Sequence, residues 1–155
     1  MDALENDRIE KKIVLSAPRA RVWRALSQAA EFGQWFRVRL EGEFEAGRTI
    51  FGQITYPGYE HLKVEMQIVE LVPERYFSYR WRPNAVDPEQ DYSAEPTTLV
   101  EFTLTDAADG KGTLLTIVES GFARLPAERR AQAFRANDGG WAEQLENIER
   151  HVAQS

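Results

Sequence analysis

Polar and apolar positions change their rhythm twice along this chain. The stretch RIEKKIVLSA, residues 8–17, alternates well enough to predict a first strand. APRARVWRALSQ follows, with Pro18 at a favourable first helical position and Val22, Trp23 and Leu26 on one helical face. In AEFGQWF, Phe32, Trp35 and Phe36 stand at i, i+3 and i+4, which predicts a second short helix ending before Arg37.

From residue 40 the rhythm turns to alternation and holds for about eighty residues, as consecutive antiparallel strands require. LEGEFEAG and RTIFGQITY read as strands joined by a turn at Ala46 and Gly47, and PGYE makes the next turn through Pro57 and Gly58. HLKVEMQIVEL sets Leu62, Val64, Met66 and Ile68 on one side until Pro73 stops it. RYFSYRW places Phe77, Tyr79 and Trp81 on a single face. The following segment, Arg82 to Pro96, is rich in proline and acidic residues, too polar for a core element and longer than most hairpin connections, and is expected to be a mobile rim loop. Val100, Phe102 and Leu104 alternate with polar residues ahead of a DGKG turn, and Leu115, Ile117 and Glu119 share one face of the returning strand.

The rhythm is helical again after Pro126. Phe134, Trp141, Leu145, Ile148 and Val152 form an apolar stripe that keeps phase through Gly139 and Gly140, although each glycine costs roughly 1 kcal/mol relative to alanine in a helix interior. Two arrangements are open: a short helix ends and Asp138 caps a new one, or one helix bends at the glycines beside a space that no side chain fills. Either would put the glycines where backbone passes close to something.

Composition narrows the function. The 155 residues suit a single domain, and 43% hydrophobic with 28% charged residues is ordinary for a globular protein. No segment approaches the roughly 18 consecutive apolar residues of a membrane helix, and the acidic start MDALENDRIEKK does not resemble a signal peptide, so a cytoplasmic location without membrane insertion is expected. The absence of cysteine excludes thiolate chemistry, and two distant histidines, His61 and His151, make a metal site improbable. A formal charge of −6 argues against nucleic acid as partner. Arg19, Arg21 and Arg24 read as a solvated helix face rather than a phosphate site. With no glycine-rich phosphate loop and no G-x-S-x-G elbow, no cofactor and no serine nucleophile are expected.

A strand, two short helices, a run of antiparallel strands and a long C-terminal helix make an α+β order. That order, with SAPRARVWRAL, FGQWF, VPERYFSYRW, VESGF and GGWAEQLENIERHV spread over residues 9–152, resembles the START-related, Bet v 1-like (SRPBCC) helix-grip superfamily. Within it the chain is similar to the activator of Hsp90 ATPase homologue 1-like family. The resemblance implies a curved antiparallel sheet wrapped around the C-terminal helix, two short helices closing one end, and a cavity between sheet and helix that takes small apolar ligands. It also implies that some relatives are cyclases, dehydratases or hydrolases. The eukaryotic cochaperone's separate N-terminal domain has no counterpart here, which counts against Hsp90 as a partner.

Candidate site residues follow from the inward faces. Trp35, Phe36, Phe77, Tyr79, Trp81, Phe102, Phe122 and Trp141 are expected to point inward or to the cavity rim, with Leu145 on the same helical stripe. Tyr56, Tyr79 and Asn137 are candidate hydrogen-bonding groups for a ligand. Glu119 is the weak candidate for chemistry: buried at the end of its strand it would favour the protonated form and fit a general acid or base. The leading expectation is a binder of a small hydrophobic or aromatic molecule such as a lipid or polyketide-like metabolite. The alternatives are an enzyme using Glu119, or a cochaperone-like interaction module with an exposed apolar patch.

Overall fold

A computed structural model describes residues 8–83 and 91–153. Its elements run β1 (Arg8–Leu15), α1 (Arg19–Ser27), α2 (Ala29–Phe36), β2 (Val38–Glu41), β3 (Thr49–Ile54), β4 (Lys63–Val72), β5 (Tyr76–Trp81), β6 (Thr98–Asp106), β7 (Thr113–Ser120) and α3 (Ala127–Ala153). All seven strands form one antiparallel sheet in the order β1-β7-β6-β5-β4-β3-β2, so only β1 pairs with a strand far away in sequence. The sheet curves about α3, and a bulge between Ile68 and Glu70 of β4 adds local bend. This is the α+β helix-grip fold.

The two periodicities account for the core. Inward residues Val100, Phe102 and Leu104 of β6 and Leu115 and Ile117 of β7 meet Trp141, Leu145, Ile148 and Val152 of α3, all buried. α1 and α2 pack on α3 and contribute Val22, Leu26, Phe32 and Trp35. α2 ends at Arg37, whose left-handed φ of 68° turns the chain into β2.

Three sequence expectations need correction. β2 begins at Val38 and stops at Glu41 rather than running over residues 40–47, because Gly42 takes a φ of 108° and the chain swings Phe44 inward against Phe32 and Phe77. Pro18 stands one residue ahead of α1, in extended backbone, its carbonyl accepting from Arg21 and Val22. α3 is one uninterrupted helix, so Asp138 caps nothing; it pairs instead with Lys11 of β1 at 2.9 Å. The expected rim loop coincides partly with residues 84–90, which lie outside the described residues.

The arginines of α1 are all paired. Arg19 meets Asp106, while Arg21, Arg24 and His151 converge on Glu31, tying α1, α2 and the last turn of α3 together. Partial burial works to raise the Glu31 carboxyl, but hydrogen bonds from His151, Arg24 and Arg21 outweigh it and hold the group below its ordinary value. A lowered folded value means that this contribution to stability is present above the carboxyl's unfolded value and is lost as the pH falls through the folded one. A Glu31→Gln protein is therefore expected to be less stable than the parent at neutral pH, with the gap closing in acid. Denaturant midpoints of both proteins measured across pH check this, and a gap that stayed constant would overturn it.

Candidate functional site

The geometry begins with strand parity. Thr113, Leu115, Ile117 and Glu119 occupy the inward positions of β7, so the face that supplies core apolar groups ends on a carboxylate. Register places Val100 opposite Glu119 and Thr98 opposite Trp81, which brings β5, β6 and β7 together at this point. α3 crosses above it and supplies Asn137 and Trp141, one helical turn apart.

Glu119 is fully buried, yet no basic side chain among the described residues pairs with it. Neutral donors surround it instead. Oε1 accepts from Trp141 Nε1 at 2.8 Å and Asn137 Nδ2 at 2.9 Å. Oε2 accepts from Trp81 Nε1 at 2.8 Å and Thr98 Oγ1 at 2.5 Å, with Asn137 Nδ2 bridging at 3.1 Å. Indole and amide N–H groups only donate, so this arrangement suits an acceptor with both oxygens available, which is a carboxylate.

Three of these donors, Trp81, Asn137 and Trp141, form part of a cavity wall. A small cavity of about 110 Å³ is lined by Phe36, Trp81, Asn137, Gly140, Trp141 and Gln144. Three of its walls are rings: Phe36 and Trp81 lie 5.8 Å apart by centroid, Trp81 and Trp141 5.8 Å, and Phe36 and Trp141 6.3 Å. Phe36, Trp81 and Asn137 also border a larger cleft of about 650 Å³. Its apolar wall is Ile54, Leu62 and Val64, and its polar edge includes Lys63, Glu65 and Arg82. Such a volume is of the size that holds small-molecule ligands.

Contrary to the expectation from sequence, no backbone passes close at Gly139 and Gly140, since a Cβ built on either would meet nothing within 4 Å. They leave space open, and Gly140 borders the small cavity.

The other predicted residues divide by location. Trp35, at 3% exposure, donates its indole N–H to Ala25 O and belongs to the core. Phe77 and Phe102 stack on each other in full burial, Phe122 packs against Phe134, and Leu145 is buried on the α3 stripe. Tyr79 is fully buried beneath Trp81, and its hydroxyl has no hydrogen-bond partner among the described residues. Burial, with the Glu119 charge adding to it, pushes the Tyr79 phenol well above its ordinary value, so it stays neutral. Tyr56 lies 51% exposed beside Tyr59, under the Arg37 guanidinium, and does not line either cavity. Phe36, Trp81, Glu119, Asn137 and Trp141 are therefore the predicted residues that come together.

Thr98 and Gln144 were not anticipated. Thr98 had a signal: it precedes Val100, Phe102 and Leu104 by the same two-residue step and so shares their inward face. Gln144, three residues beyond Trp141 on α3, had none, because its place at the cavity depends on how α2 meets α3.

A second buried polar cluster holds the rim of the larger cleft. Arg129, in the first turn of α3, makes a forked contact with Glu95 through Nε at 3.0 Å and Nη2 at 2.7 Å. It also donates to Pro83 O at 2.9 Å and lies 4.8 Å over the Tyr92 ring. Pro83 and Tyr92 both line the cleft, so one guanidinium joins its edge to the helix.

Known proteins resemble this arrangement at the level of fold. The structure of MLL2253 from Mesorhizobium loti matches with a TM-score of 0.73 and 24% identity, over 96% of this chain and 98% of that one. DynU16, from the dynemicin biosynthetic locus, matches at 0.71 and 21%, over 95% of this chain and 47% of that one. The Aha1 dimer from Colwellia psychrerythraea matches at 0.68 and 16%, over 94% and 95%. A search among curated proteins gives no match. The family described as activator of Hsp90 ATPase homolog 1-like protein matches over residues 16–153, nearly the whole of the α+β unit described above. The chain belongs to the activator of Hsp90 ATPase homologue 1-like family, within the START/Bet v 1-like superfamily.

Proposed function

We propose that this protein binds a small hydrophobic or aromatic molecule in the cleft between the β3–β5 half of the sheet and α3. The observation that carries the reading is that two neighbouring cavities share Phe36, Trp81 and Asn137 as walls: a larger, mainly apolar cleft lies beside a ring-walled space backed by a buried polar cluster. That combination of apolar lining with a few placed polar groups is the usual character of a ligand site. Binding is favoured over proton transfer because each Glu119 oxygen already holds at least two donors, which leaves the carboxylate no free lone pair facing a substrate. The cochaperone alternative rests on the description of the family and on likeness to Aha1 of Colwellia psychrerythraea at 16% identity, and the latter speaks for fold alone. No helix among the described residues is long and apolar enough to cross a membrane.

The two helix glycines provide the test. Gly139→Ala and Gly140→Ala are each expected to stabilise the unliganded protein by about 1 kcal/mol, because alanine suits a helix interior better and neither Cβ meets a neighbour. Only Gly140→Ala intrudes on the small cavity, so it alone is expected to weaken the rise in thermal midpoint produced by a panel of hydrophobic and aromatic metabolites. A panel that shifts no midpoint in the parent protein would remove the binding function, and equal ligand responses in the two variants would move the site away from α3.

A further inference from the structure

Glu119 raises a question of charge that ligand binding by apolar contact leaves unanswered. A buried carboxylate is ordinarily matched by a cation or kept out of the interior, because desolvating an unpaired charge is expensive. Here the described residues offer it four neutral donors and no cation. Three of those donors, Trp81, Asn137 and Trp141, also line the small cavity, so the charge lies one side chain behind its wall.

The walls of that cavity suit a positive group. Phe36, Trp81 and Trp141 bring three rings to one small space, and both indoles donate their N–H to Glu119. An indole bonded in this way to an anion is polarised toward its ring, which strengthens the attraction of its π face for a cation. None of the residues lining the ring-walled space carries a positive charge, and Lys63 and Arg82 border only the adjoining cleft. The cavity, at about 110 Å³, is several times the ~10–15 Å³ that one water needs. The apolar wall of Ile54, Leu62 and Val64 continues from it through the shared Phe36 and Trp81.

We infer that the ligand is a molecule with an apolar body and a small alkylammonium head, the head seated among Phe36, Trp81 and Trp141 against the buried charge of Glu119. The inference rests on the binding function proposed above and names the chemistry of its ligand. A cation of this kind would complete the charge balance of the site without a basic side chain.

A matched series tests it. Benzyltrimethylammonium, benzyl alcohol and benzoate share a phenyl group and differ in charge, and their binding can be followed by tryptophan fluorescence and calorimetry. The cation is expected to bind about tenfold more tightly than either other probe, the scale of a desolvated cation–π contact. That preference is expected to fall toward parity in Phe36→Leu, which removes a ring without touching a hydrogen bond, and in Glu119→Gln, which removes the charge. Phe36→Leu keeps the test decisive if the glutamine variant does not fold. Benzyl alcohol binding as tightly as the cation would overturn the inference while leaving the apolar-binding function standing, as would no binding of the series by a protein that responds to the hydrophobic panel. A cation preference unchanged in both variants would place the cation elsewhere and overturn it too. Failure of both the series and the panel would remove the two proposals together.

Discussion

Glu119→Gln is expected to lower the unfolding free energy by about 2–3 kcal/mol, and Glu119→Ala by about 4 kcal/mol or more, since each stranded buried donor costs roughly 1–3 kcal/mol. The asymmetry of the two indoles gives the reason. Trp141 donates to Oε1 and Trp81 to Oε2, and an indole N–H cannot reverse its role. Glutamine offers one oxygen and one amino group, so whichever way it is turned, one indole faces N–H instead of an acceptor. Asn137 can flip and Thr98 can rotate, but neither adjustment helps that indole. Alanine strands all four donors and adds a cavity. Urea unfolding followed by far-UV circular dichroism measures the loss, and tryptophan emission reports the altered indole independently. A glutamine variant within 0.5 kcal/mol of the parent, about the range of a neutral surface substitution, would show that the donors find other partners.

Much of this was visible in the chain before any coordinates. Alternation located β5, β6 and β7, and Glu119 shares the phase of Leu115 and Ile117, which left its carboxylate either inward or at a strand end facing water or arginine; the structure has it inward. The apolar stripe on α3 kept phase through both glycines, and the helix does the same. What periodicity could not supply was partnership. Inward parity says that Glu119 is buried, but whether it meets arginine, water or indoles depends on register between β5, β6 and β7 and on the height at which α3 crosses them. The short β2 escaped for a related reason: the alternation of LEGEFEAG continues past Gly42, while the backbone turns there under a positive φ that a polar–apolar pattern does not encode. Arg129 and Glu95 are separated by 34 positions and sit in segments with no periodic relation, so nothing local marked them as a pair.

Arg129→Met is expected to destabilise by about 3 kcal/mol, because removing one member of a buried pair leaves the other charge uncompensated. Both side chains are only 11% exposed. Methionine keeps much of the stem's apolar packing and so isolates the loss of the guanidinium, its bond to Pro83 O and its contact with Tyr92. The companion variant Glu95→Gln should lose less, since arginine retains the Pro83 carbonyl and the ring. A double-mutant cycle by denaturant unfolding yields the coupling, and a value near zero would mean that the pair is solvated in solution. Because Pro83 and Tyr92 line the larger cleft, the methionine variant should also bind the hydrophobic panel more weakly, with the loss concentrated in the bulkier members.

The order of strands has a consequence for synthesis. β1 is the earliest strand made, yet its ladder partner is β7, with Arg8 opposite Ser120 and Leu15 opposite Thr113. At translation rates of 5–20 residues per second the first strand waits on the order of 5–20 s for its mate to leave the ribosome. Meanwhile the hairpins from β2 to β6 can close on neighbours already translated. Registration of β1 is thus a late event, and until it happens the growing chain carries β1 as a β-forming segment without its ladder partner.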